Sequence, residues 1–202
     1  MKFDTAKHHR RSIRLKGADY SLPGAYFITI CAQNRESLFG KIVDGAMCLN
    51  DAGKMVDHLW NELKNKFVNI EIDKYAVMPN HFHGIIIVGA SLVDAQNSVD
   101  SKNPMYDQNY TRAGTTVRAG TRPAPTIGDI VGAFKSLTTN EYIRNVKSGK
   151  FPPFEKSVWQ RNYYERIIRN ENDLNRIREY IVNNPLNWDK DDLFVNAHGQ
   201  NI

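Results

Sequence analysis

The chain has 202 residues, 41% of them hydrophobic and 24% charged, with a formal net charge of +5. These values fit one soluble globular domain with a sizeable core, and they exclude a disordered or low-complexity chain. Two cysteines, Cys31 and Cys48, exclude a disulfide scaffold and read as buried thiols in a reducing compartment, and no apolar run is long enough for a transmembrane helix, so the cytoplasm is the expected location.

The basic excess starts at the N-terminus, where "KHHRRSIRLKG" carries Arg10, Arg11, Arg14 and Lys16 in a basic arm over residues 1–17. Such an arm suits a polyanionic partner or simple solvation. After the turn signal "LPG", the aromatic and β-branched run "AYFITICAQ" predicts a first strand, and "KIVDGAMCLN" predicts a hairpin turning at Asp44-Gly45. Asn50 is placed to cap a helix over "DAGKMVDHLWNELKNKF", in which Met55, Val56, Leu59, Trp60, Leu63 and Phe67 recur at three- and four-residue spacings. "NIEIDKYAVM" and "HFHGIIIV" then predict two strands parted at Pro79-Asn80.

Residues 90–126 change character, being rich in Ser, Thr, Asn, Gly and Pro with "RAGT" present twice, and read as a mobile insertion outside the core. A second amphipathic helix is expected from near Thr126, with Ile127, Ile130, Val131, Phe134 and Leu137 as its apolar stripe. "FPPFEKSVWQRNYYERIIRN" reads as a loop leading to a last short strand, and a final helix from about Asn172 through Asn184 is stopped by Pro185. Strands outnumber helices, and helices fall between strand pairs. The expected fold is α+β, a mainly antiparallel four- to five-stranded sheet flanked by helices.

The chemistry-bearing residues lie on the two best-defined elements. In a strand, His81 and His83 point to one face and Phe82 to the other, with the histidines about 6.6 Å apart along the strand. That geometry suits a metal or nothing in particular, and two imidazoles leave a metal short of ligands. On the final helix, Leu174, Ile177 and Ile181 form the buried stripe, while Tyr180 and Asn184, four residues apart, share one flank of it. Read alone, they are a core-edge tyrosine and a helix-end cap. Read with the histidines, Asn184 offers a neutral oxygen as a further metal ligand and Tyr180 becomes a nucleophile beside the ion. A phenol near pKa 10 is a poor nucleophile at neutral pH, and a cation that polarises a phosphodiester compensates for that.

At these residues the sequence resembles the HUH superfamily of single-tyrosine transposases, most closely the REP-associated tyrosine transposases. The resemblance rests on "VMPNHFHGIIIV" and "WQRNYYERIIRNENDLNRIREYIVNNP", with "RRSIRLKGADYSLPGAYFITICAQNRESLFG" and "IVGAFKSLTTNEYIR" in the same order. It implies an HUH, ferredoxin-like (RRM-like) core and an enzyme that cuts and rejoins single-stranded DNA through a covalent phosphotyrosine, with Mg²⁺ or Mn²⁺ as cofactor, at hairpins of repetitive extragenic palindromes. It implies Tyr180 as the nucleophile, with His81, His83 and Asn184 as metal ligands. It also points to the N-terminal arm for hairpin recognition, in a monomer or a homodimer. Lys135, Arg161 and Arg166 are further candidates for DNA phosphate contacts. Tyr163 and Tyr164 lack a polar residue four positions later and read as strand or base-stacking residues.

Two other classes are weighed against this one. A non-catalytic nucleic-acid-binding relative has no need of a metal–tyrosine set. A water-using metal-dependent phosphoesterase needs a carboxylate base near the metal, and strand parity alone does not bring Glu71 or Asp73 there. A histidine-triad enzyme is excluded because position 85 is Ile85.

Overall fold

The computed structural model describes residues 23–67, 69–89, 125–191 and 193–194. The basic arm at 1–17 lies outside these residues, as does the expected insertion up to residue 124. The elements are β1 (Gly24–Cys31), β2 (Gly40–Val43), β3 (Ala46–Leu49), α1 (Asp51–Asn61), α2 (Leu63–Lys66), β4 (Ile70–Val77) and β5 (His81–Val88). They continue with α3 (Ile127–Lys147), β6 (Tyr164–Ile168) and α4 (Glu171–Asn183), and 3-10 turns cover Gln33–Arg35 and Pro185–Lys190.

Four strands form one antiparallel sheet in the order β4-β5-β1-β6, and β2 and β3 form a separate two-stranded hairpin. The α+β class and the antiparallel sheet therefore stand as expected. Asn50 caps α1 by accepting from the Gly53 N–H at 2.8 Å. The helix expected to run unbroken to Phe67 is instead parted at Glu62, where the backbone stays helical (φ −70°, ψ −16°) and α2 follows at once. Thr126 and Asp129 close a reciprocal capping box on α3, and Asn170 caps α4 one residue earlier than the sequence suggests.

Strand alternation divides the sheet into two faces. Tyr26, Ile28, Ile30, Phe82, Ile86 and Val88 point to one, where they pack with Val56, Trp60, Ile130 and Phe134 of α1 and α3. Ala25, Phe27, Ala76 and Ile85 point to the other, against Leu174, Ile177 and Ile181 of α4. Arg178 of α4 ties that helix to β4 through Asp73, with Nη2 2.7 Å from the carboxylate. This arrangement answers the question left open about Asp73: its carboxylate is engaged by a guanidinium on α4. Cys31 is buried, but Cys48 is exposed, against expectation. It sits on β3 of the two-stranded hairpin, apart from the four-stranded sheet.

Candidate metal and nucleophile site

The site forms at the His81 end of β5, where the C-terminal end of α4 brings Tyr180 over the sheet. The register sets His83 opposite Thr29 of β1 and Ala76 of β4, and His81 opposite Cys31. Both imidazoles are buried, at 0% and 2% exposure, with their Nε2 atoms 2.9 Å apart. α4 crosses this face so that its apolar stripe is sealed while Tyr180, at 45% exposure, stays open to solvent with its hydroxyl 3.3 Å from His83 Nε2. Phe27 holds the group from below, stacked on His83 at 5.4 Å and meeting the Tyr180 ring edge-on at 6.0 Å. Trp188, in the 3-10 turn after Pro185, lies 5.7 Å from the His81 ring.

The outer ring nitrogens are held in place. Asn80 donates its amide to the carbonyls of Arg35 (3.3 Å) and Leu193 (2.8 Å), so its Oδ1 is the atom facing His81 Nδ1 at 2.8 Å. That oxygen can only accept, which places the His81 proton on Nδ1 and leaves Nε2 as a bare lone pair. His83 Nδ1 lies 2.8 Å from the Thr29 hydroxyl, which can donate or accept. Burial keeps both rings neutral. It lowers the His81 pKa to about 3, helped by the Arg35 charge, and pushes His83 well below the usual range, helped by His81. Neutral imidazoles with oriented outer nitrogens are what a metal-binding histidine pair requires.

A residue that sequence reasoning missed completes the group. Asp191, just past the 3-10 turn, offers a carboxylate oxygen within 4.8 Å of ligand nitrogens of His81 and His83. Its Oδ2 accepts from Asn184 Nδ2 at 2.6 Å and lies 3.4 Å from the Tyr180 hydroxyl, while Oδ1 accepts from the Leu193 N–H at 2.7 Å. Asn184 is 2% exposed, and its Oδ1 has no hydrogen-bond partner among the described residues. A buried carbonyl oxygen without a donor is costly in a folded protein and is satisfied by a cation. The donor set, two imidazole nitrogens, a carboxylate and an orphaned amide oxygen, thus fits a divalent metal. Asp191 carried one weak signal, the acidic run "NWDKDD", which does not say which carboxylate turns inward.

His83, Tyr180, Asn184 and Asp191 border a cleft of about 710 Å³ that also includes Arg35, Tyr164, Arg176 and Lys190. Arg35 and its neighbour Asn34 both take left-handed backbone angles (φ 56° and 54°), an uncommon conformation for residues with side chains. The cationic residues singled out from sequence are spread more widely. Arg10, Arg11, Arg14 and Lys16 lie outside the described residues. Lys135 is partly buried and donates to the carbonyls of Gln160, Arg161 and Asn162 at 2.6, 3.0 and 3.4 Å, and burial lowers its pKa to about 8. Arg161 is exposed, and Arg166 pairs with Asp173 at 2.8 Å. No helix among the described residues is long and apolar enough to cross a membrane.

No family model matches the chain. Among solved structures, it is similar to a REP-associated tyrosine transposase bound to a REP hairpin, at 19% identity and a TM-score of 0.49 over 87% of this chain and 74% of that one. A candidate transposase from Deinococcus radiodurans R1 matches at 16% identity and a TM-score of 0.45, over 84% of this chain and 97% of that one. An uncharacterized protein of Haemophilus influenzae strain Rd is 42% identical over 194 residues, which is 96% of this chain and 98% of its relative. At that identity, over nearly the whole of both proteins, the chain belongs to the same family as the Haemophilus influenzae protein.

Proposed function

We propose that the protein is a metal-dependent enzyme that cleaves and rejoins single-stranded DNA through a covalent bond to Tyr180, acting as an HUH-type single-tyrosine transposase. The observation that carries this reading is the convergence of Tyr180, His83, Asp191 and Asn184 on one cleft, with His81 behind them beside His83 and the phenol hydroxyl 3.3 Å from a buried, neutral imidazole. His81 and His83 are the nitrogen ligands, and Asp191 and Asn184 are the oxygen donors within reach. Hard oxygen donors alongside two histidines suit Mg²⁺ or Mn²⁺. When bound, such an ion polarises the phosphodiester and stabilises the charge that develops in the transition state.

The chain's own groups do the rest. Tyr180 Oη attacks phosphorus, a tyrosine–phosphate ester forms, and the bond to one deoxyribose oxygen breaks. Asp191 Oδ2, 3.4 Å from the phenol hydroxyl, is the carboxylate in reach of its proton, and the departing deoxyribose oxygen takes a proton from solvent and leaves as a hydroxyl. Attack by a second deoxyribose hydroxyl on the ester reverses the sequence and joins the strands without an outside energy source. The exposure of Tyr180 leaves room for a strand to enter the cleft. The DNA we propose is a hairpin of a repetitive extragenic palindrome, in line with the sequence resemblance. Arg10, Arg11, Arg14 and Lys16 are its proposed recognition arm, and Arg161 and Arg166 are proposed phosphate contacts. Lys135 remains a proposed contact too, although its ammonium already serves three backbone carbonyls.

The test incubates purified protein with a panel of single-stranded hairpin oligonucleotides in Mg²⁺, Mn²⁺ or chelator. Covalent adducts are resolved by denaturing electrophoresis and mapped by mass spectrometry. The expected result is a metal-dependent adduct on Tyr180 that disappears in Tyr180→Phe and persists in Tyr164→Phe. Cleavage that leaves free ends and no adduct would overturn the reading in favour of a water-using phosphoesterase.

A further inference from the structure

The open face of the sheet continues past the metal group to its edge. Direct register pairs align Ala76, His83, Thr29 and Tyr164 in one row across β4, β5, β1 and β6. Side chains of directly paired residues share a face, and strands lie about 4.8 Å apart, so Tyr164 stands roughly 10 Å from His83 on the same side. Among the described residues β6 is an edge strand, with β1 as its neighbour on one side. Tyr164 is 55% exposed, and among the described residues its side chain has no hydrogen bond, ion pair or ring contact. It lines the cleft that holds Tyr180 and Asp191.

An exposed tyrosine alone is unremarkable in a folded protein. Its flanks make this one different. Arg166 lies two residues further along β6 and so points to the same face. Asp173, in the first turn of α4, takes Arg166 Nη2 at 2.8 Å and Arg176 Nη2 at 2.5 Å on the same Oδ1. One carboxylate thereby holds two guanidiniums at the rim, with their side chains still 53% and 62% exposed. Each guanidinium carries five N–H donors in a rigid fork, so donors remain after one is given to Asp173. The result is an exposed aromatic ring on the same sheet face as a pair of positioned cations, two strands from the histidine that Tyr180 approaches.

From this we infer a nucleobase-stacking subsite centred on Tyr164, with Arg166 and Arg176 holding the adjoining phosphates of a single strand. The inference rests on the proposed reading of the cleft as a single-stranded DNA site, and it assigns Tyr164 to positioning the strand rather than to bond breaking. Stacking on an aromatic ring accepts any base, whereas guanidinium contacts to phosphate ignore the base altogether. The two contributions are therefore separable by removing the bases from the strand.

The experiment measures fluorescence anisotropy with two labelled probes of equal length, oligothymidylate and a fully abasic strand, in chelator so that no chemistry intervenes. Tyr180→Phe serves as the parent protein. The parent should prefer oligothymidylate, and Tyr164→Ala should weaken that probe about tenfold while leaving the abasic strand unchanged. Tyr164→Phe, which keeps the ring, should bind both probes as the parent does. Arg166→Gln and Arg176→Gln should weaken both probes alike and each lower the salt slope by about one. Equal weakening of both probes by Tyr164→Ala, unchanged binding of oligothymidylate, or no binding by the parent would overturn the subsite. Because adduct formation is not read here, Tyr164→Ala can fail this test while Tyr180 still forms its covalent bond, and the reverse can also occur.

Discussion

The two faces of the central sheet are equally dry near β5 and differ in what is buried. Every residue of β5 is buried, yet alternate positions serve opposite ends. On the α1/α3 face, Trp60, Phe82 and Phe134 form an aromatic cluster with ring centroids 4.4 to 5.1 Å apart, and packing explains each residue. On the α4 face a small aliphatic cluster gives way to His81, His83 and Asn184, whose burial is explained by the partners they orient. Burial alone therefore does not separate a core residue from a site residue. The separating property is the geometry of polar partners: Asn80 on His81, Thr29 on His83 and Asp191 on Asn184.

The comparison makes its largest prediction in acid. His81 stays neutral in the folded state down to about pH 3, whereas its unfolded imidazole takes up a proton near 6.5. His83 is displaced in the same direction. Between those values the unfolded state holds more protons, so stability rises with pH: it is fully present above about 6.5 and is lost as pH falls toward 3. For His81 alone the loss is on the order of 5 kcal/mol across the window. Urea unfolding in chelator at a series of pH values should show this slope, and His81→Gln should flatten it. Equal slopes for both proteins would mean that the α4 face is wetter than the structure indicates.

The opposite face is tested by Trp60→Ala, which empties the middle of the aromatic cluster. Removal of a fully buried tryptophan should cost about 3–5 kcal/mol. The loss should be independent of pH between 4 and 8, because Tyr75, the titratable group whose ring meets Trp60, is pushed above its usual range by burial and stays protonated there. Below its new melting temperature the variant should bind Mn²⁺ with unchanged affinity. A matched loss of metal binding would show that the two faces are not independent.

The same contrast explains how much was legible in the sequence. The closed face announced itself through periodicity, with Val56, Trp60, Ile130 and Phe134 at helical spacings opposite alternating strand residues. The opposed directions of Phe82 and the two histidines followed from strand parity, and the shared flank of Tyr180 and Asn184 from helical geometry. The unread parts lie where no period operates. Asp191 follows a 3-10 turn in which Asn187 departs from helical angles, so spacing from Asn184 says nothing about direction. Asn80 was visible only as a break between two strands, since its role comes from the carbonyls of Arg35 and Leu193, 45 and 113 residues away. The Asp173 clamp on Arg166 and Arg176 likewise joins β6 to α4 across a helix start.

The smallest effect sharpens the open face from within. Both histidines have an outer partner, but the partners are unequal. Asn80 Oδ1 can only accept and is locked by two bonds from its own amide, so it forces His81 into the tautomer that bares Nε2. The Thr29 hydroxyl accommodates either tautomer of His83 and supplies orientation without that choice. Loss of an outer partner costs a metal-binding histidine roughly 10–100-fold in affinity. Asn80→Ala should therefore fall near the upper end, roughly 100-fold, and Thr29→Val near the lower, roughly tenfold, in Mn²⁺ titrations followed by calorimetry. The tautomer itself gives a second readout in the metal-free protein, where ring ¹⁵N chemical shifts distinguish Nδ1–H from Nε2–H. Asn80→Ala should let His81 populate the Nε2–H form, and Thr29→Val should leave His81 as Nδ1–H. If the two variants lose affinity equally and His81 stays Nδ1–H in both, tautomer control by Asn80 is wrong, and both partners act only by holding the rings in place.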